Sequence, residues 1–81
     1  MKPVYSKAAA KAIGGMDNAT KQRIKAAIEK LPEGDVKQIK GKGIVTYRLR
    51  VGGWRVLYSL DGDDVVFVEK IAPRGEIYKG V

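Results

Sequence analysis

Two hydrophobic periods divide the chain. KPVYS opens it as a short extended segment. From Ser6 onward, Ala9, Ala12, Ile13 and Met16 recur at helical spacings of three, four and seven. A short helix is expected from about Lys7 to Ile13, stopped by Gly14-Gly15. Asp17 or Asn18 then offers a side-chain oxygen to cap a second helix through ATKQRIKAAIEKL. Its apolar stripe is Ile24, Ala27, Ile28 and Leu31, with Lys21, Arg23, Lys25, Glu29 and Lys30 toward water.

After Pro32 and Gly34 the period drops to two, the mark of an antiparallel sheet with one face on the core. VKQIK, IVTYRLRV, WRVLYSL and VVFVEKI read as strands. GKG is a loop, Gly52-Gly53 a two-residue hairpin turn requiring positive φ, and DGDD the next turn. Alternation sends Tyr47, Leu49 and Val51 to the same side as Trp54, Val56, Tyr58 and Leu60. An even-length turn at DGDD adds Val65, Phe67 and Ile71, and also places Glu69 on that apolar side. The expected fold class is α+β: an N-terminal helical hairpin packed on one face of a small, mainly antiparallel twisted sheet, with residues 1–81 as a single domain.

The opposite side of the hairpin is cationic. With Gly52 and Gly53 as the loop, Val51 pairs with Trp54 and Arg50 lies opposite Arg55, their β-carbons roughly 4.5 to 5.5 Å apart. Arg48 is the diagonal neighbour. Like charges directly opposite are destabilising, and neither strand supplies an acidic residue in compensation. The guanidiniums either stack, splay into water or pair with an acid elsewhere such as Glu76, or they form an anion site. Planar forks on a rigid sheet match phosphate oxygens bidentately, which makes phosphate recognition the leading reading. Arg74 and Tyr78 follow the last strand, where a tyrosine beside a cationic face can stack on a base or exchange a proton.

Composition sharpens this picture. Sixteen Lys and Arg against nine Asp and Glu leave a net charge of +7 in 81 residues. From Val36 to Leu60 the chain carries Lys37, Lys40, Lys42, Arg48, Arg50 and Arg55 and no acid. A polyanionic partner is favoured, with those three lysines as candidate RNA- or ribosome-binding residues. The chain has neither cysteine nor histidine, which removes disulfides, zinc-thiolate sites and the usual general base. No cofactor or metal is expected. No apolar run reaches the length of a membrane span and no leader is evident, so a cytoplasmic protein is expected.

These features resemble the RelE toxins of bacterial toxin-antitoxin modules, in the RelE/ParE superfamily. The resemblance covers nearly the whole chain: two helices, a basic strand, the YRLRVGGWRVLY hairpin, a short acidic turn, VVFVEKI, and the closing Arg and Tyr of PRGEIY. It implies a RelE-like fold and a ribosome-dependent, metal-independent endoribonuclease, an mRNA interferase that cuts the A-site codon and inhibits translation. It also implies neutralisation by a cognate antitoxin. The implied reaction is attack of a 2′-hydroxyl on the adjacent phosphate, giving a 2′,3′-cyclic phosphate and a 5′-hydroxyl.

By motif, Arg48 and Arg50 fall where the family holds a basic pair, often lysines. Arg55 falls on the arginine that stabilises charge at the scissile phosphate. Arg74 falls on the arginine assigned to the leaving 5′-oxygen, and Tyr78 on the tyrosine that stacks on or orients substrate. A family lysine at position 48 is credited with taking the 2′-hydroxyl proton, and an arginine does not readily deprotonate. Arg48, Arg50 and Arg55 are therefore expected to act electrostatically, with Tyr78 or the ribosome moving the proton. Two other readings stand beside this one: a ParE-like inhibitor of DNA gyrase, and a basic module that binds RNA or ribosomes without cutting, with strongly salt-dependent affinity.

Overall fold

The computed structural model describes residues 2–39 and 45–73. The chain begins with strand β1 (Lys2–Tyr5), followed by helices α1 (Lys7–Gly14) and α2 (Asn18–Glu29). Strands β2 (Asp35–Ile39), β3 (Thr46–Val51), β4 (Trp54–Asp61) and β5 (Val65–Pro73) follow. The five strands form one sheet in the order β1-β5-β4-β3-β2. β1 runs parallel to β5 and every other pair is antiparallel.

The helices start where the sequence offers capping oxygens. Ser6 Oγ accepts from the Ala9 amide at 3.0 Å and donates to the Glu69 carbonyl at 2.7 Å, so one hydroxyl caps α1 and ties it to β5. Asp17 caps α2, accepting from the amide and the hydroxyl of Thr20. These bonds hold its carboxyl below the usual carboxylate range. α1 packs chiefly on β5 and α2 on β3, and both touch β1. A strand thus precedes the expected N-terminal helical hairpin, and each helix takes its packing from the sheet more than from the other helix.

The core lies between helices and sheet. Ala9, Ile13, Ile24, Ile28 and Leu31 meet Leu49, Val56, Tyr58, Val66, Val68 and Ile71. The expected strand faces hold through β4: Tyr47 pairs with Tyr58, Leu49 with Val56 and Val51 with Trp54. The rings of Tyr47 and Tyr58 stack at 5.3 Å between centroids. Burial raises the Tyr58 hydroxyl pKa, with Tyr47 adding to the shift.

On β5 the expected faces are corrected twice. Asp61 pairs with Val65 and Leu60 with Val66, so the turn between them spans three residues, an odd number. Val66 and Val68 therefore enter the core, whereas Val65 and Phe67 take the other side, and Phe67 is exposed. A β-bulge then falls between the Tyr58–Val68 and Leu57–Lys70 pairs, leaving Glu69 as the extra residue. The bulge restores the parity, so Ile71 is buried opposite Val56. The odd turn also takes Glu69 off the apolar side, and its carboxylate sits 3.5 Å from the Ser59 hydroxyl.

Candidate functional site

The face of the sheet away from the helices is built by register. The β3–β4 hairpin closes on Gly52 and Gly53, of which only Gly52 has a positive φ, +59°, as at the first central position of a II′ turn. Val51 pairs with Trp54, and the next pair is Arg50 with Arg55. Two residues further, Arg48 pairs with Leu57 on β4 and with Lys37 on β2, and Leu57 pairs with Lys70 on β5. Among the described residues, five cationic side chains from four strands thus share one face, around a small apolar patch of Leu57, Ala72 and Ile39.

Asp35 brings a carboxylate into this cluster. β2 begins at Asp35, which pairs with Arg50 in register, and its Oδ1 lies 3.3 Å from Nη2 of Arg48. The sequence places that strand from Val36, which leaves Asp35 in the preceding turn and the hairpin arginines without a partner on either strand. The compensation is partial: the Asp35 side chain is 59% exposed, against 15% for Arg48, and an exposed ion pair contributes little. Among the described residues, Nε of Arg48 and Nη1 of Arg55 are enclosed without a hydrogen-bond acceptor. A buried donor left without a partner costs about 1–3 kcal/mol, more when charged.

The arrangement can therefore hold a multiply charged anion. Oxygens arriving between Arg48, Arg50 and Arg55 would supply acceptors to N–H groups already desolvated, at little cost in ordering because the strands fix the side chains' origins. Of the residues the sequence nominates, Lys37, Arg48, Arg50 and Arg55 come together here. Lys40, Lys42, Arg74 and Tyr78 lie outside the described residues, as does Glu76. Asp35 is the site residue that sequence reasoning missed; the available signal was its position immediately before an alternating strand that ends near the basic hairpin. Among the described residues no three His, Cys, Asp or Glu side chains group as metal ligands, and no helix is long and apolar enough to cross a membrane.

Comparison with known proteins covers nearly all of the chain. The family model for the ParE toxin of the type II toxin-antitoxin system parDE matches residues 4–78. Among solved structures, the archaeal RelE-RelB complex from Pyrococcus horikoshii OT3 contains a similar chain, with a TM-score of 0.72 and 30% identity, covering 93% of this chain and 96% of that one. The RelB-RelE antitoxin-toxin complex from Methanococcus jannaschii contains another, with a TM-score of 0.72, 27% identity, and coverage of 93% and 94%. The corresponding comparison with curated proteins finds no significant match.

Proposed function

Because the chain belongs to the ParE toxin family of type II toxin-antitoxin systems, within the RelE/ParE superfamily, we propose that this toxin is a ribosome-dependent endoribonuclease that cleaves messenger RNA in the A site and is neutralised by a cognate antitoxin. The observation that carries this reading is the juxtaposition of Arg48, Arg50 and Arg55 on the open face, with guanidinium N–H groups enclosed and lacking acceptors among the described residues. The likeness to chains of RelE-RelB complexes supports it.

In this reading the ribose 2′-oxygen attacks the adjacent phosphorus and the bond to the 5′-oxygen breaks, leaving a 2′,3′-cyclic phosphate. Arg55 faces the equatorial oxygens, where charge accumulates. Arg48 and Arg50 hold the phosphate, Arg74 stabilises the departing 5′-oxygen, and that oxygen is protonated from water. Lys37, with Lys40 and Lys42, contacts neighbouring phosphates. Tyr78 stacks on or orients a base.

Arg48 is unsuited to take the 2′-hydroxyl proton. Asp35, in contact with Arg48 and opposite Arg50, is a carboxylate on the same face, and we assign the proton to it. A general base of this kind contributes about 10²- to 10⁴-fold.

A second reading, inhibition of DNA gyrase, is favoured by the match of residues 4–78 to the ParE toxin family. The two separate in parallel incubations. Programmed ribosomes should yield codon-spaced RNA cuts, while gyrase with plasmid should yield no added cleaved DNA. Intact message together with cleaved plasmid would replace the first reading by the second.

A further inference from the structure

Glu69 and Lys70 are neighbours on β5, and the bulge decides which of them joins the row of the cationic cluster. Up to the Tyr58–Val68 pair the β4–β5 ladder is regular. Continued without interruption, it would set Glu69 opposite Leu57 and turn Lys70 inward with Val56. With Glu69 as the extra residue, Lys70 pairs with Leu57 instead. The Ser6 hydroxyl donates to the Glu69 carbonyl at 2.7 Å, which pins the bulge to the start of α1. The Glu69 carboxylate meets Ser59, which lies beyond Leu57 on the side away from Arg55.

Two rows of side chains then cross the open face. Asp35, Arg50, Arg55 and Ala72 make one, and Lys37, Arg48, Leu57 and Lys70 make the next. The second row spans three strand spacings, about 14 Å, with a lysine at each end and no acid among its four residues. Lys70 is half-buried and diagonal to Arg55, about 7–8 Å away between α-carbons. We propose that Lys70 binds a phosphate of the message next to the scissile one, on the side opposite to Lys37, so that the RNA crosses the strands along this row. The assignment rests on the ribonuclease reading above. Single-stranded nucleic acid is held by cationic grooves that track its backbone, and the row places a cation on each flank of the arginine cluster. An ammonium on a flexible stem acts as a point charge that can follow the backbone, whereas the arginine forks fix one phosphate. With Glu69 opposite Leu57 the same position would repel the strand. The bulge therefore exchanges a carboxylate for an ammonium at the edge of the site.

The test measures binding of the full chain to ribosomes programmed with a message whose A-site codon carries 2′-O-methyl riboses, which block attack. Lys70→Gln should weaken binding about tenfold, as losing one charge-assisted contact does. Lys70→Arg, which keeps the charge, and Lys11→Gln, exposed on α1, should stay within about twofold of the parent. A methylphosphonate, which removes the charge of one phosphate, is then placed in turn on either side of the scissile phosphate. On one side it should abolish the difference between Lys70→Gln and the parent, and on the other the difference between Lys37→Gln and the parent. Lys70→Gln binding as tightly as Lys11→Gln would overturn the assignment. So would a Lys70→Gln loss that persists with both modified messages, or Lys37 and Lys70 responding to the same side. Those results leave the ribonuclease reading intact, whereas a parent chain that does not bind programmed ribosomes would overturn that reading and the assignment with it.

Discussion

Arg50 and Arg55 are direct cross-strand partners one pair from the tip of the β3–β4 hairpin, and Arg48 is diagonal to Arg55 on the same face. Like charges so placed oppose hairpin formation by about 0.2–1 kcal/mol per pair. The fold bears that cost, and Asp35, reaching Arg48 from β2, relieves only part of it. Replacing one arginine by an acid should therefore stabilise the protein. Arg55→Glu is expected to raise unfolding free energy by about 0.2–1 kcal/mol in chemical denaturation, while abolishing phosphate binding. A variant less stable than the parent would mean that neighbouring contacts already neutralise the pair.

Asp35 gives a second expectation. Asp35→Asn keeps the size of the side chain and a hydrogen-bond acceptor for Arg48, but lacks a basic carboxylate. Single-turnover cleavage on programmed ribosomes should slow by about 10²-fold or more, with ribosome affinity unchanged. If Tyr78→Phe shows that loss and Asp35→Asn does not, the proton belongs to the tyrosine.

Ser6 links helix to sheet through one oxygen, bonded to the Ala9 amide and the Glu69 carbonyl. Ser6→Ala loses an N-cap and leaves a carbonyl at the bulge without its donor. The expected cost is about 2 kcal/mol in equilibrium denaturation, and Ser6→Thr should recover most of it.

Asp17 makes the stability depend on pH. Its bonds to Thr20 lower its folded pKa below the unfolded value. The stabilisation is therefore complete above the ordinary carboxylate pKa and disappears as pH falls through the lowered one. Thermal melts of the parent and Asp17→Asn should differ at neutral pH and converge in acid. A gap of constant size down to strongly acidic pH would place the effect elsewhere.

What could be read from the sequence was set by short-range chemistry. Ser6 and Asp17 announce the helix starts, and Gly52-Gly53 fixes the hairpin register that brings Arg50 and Arg55 together. The three-residue turn before Val65 and the bulge at Glu69 each reverse side-chain parity, and both depend on how β5 seats against β4, which no local pattern encodes. Asp35 was missed because Gly34 reads as the end of a turn, and only the ladder with β3 extends the strand by that one residue. The parallel pairing of β1 with β5 arises from long-range packing alone. The cationic side of the site was therefore legible, and its carboxylate was not.

Arg55 is proposed to act on a scissile phosphate in messenger RNA. Primer extension on translated messages, after induction of the parent chain and of Arg55→Ala, tests it most directly. The parent should produce stops at codon-spaced positions within reading frames, and Arg55→Ala should lose them while still binding ribosomes. Full-length messages with the parent chain, under conditions where it arrests growth, would contradict the account.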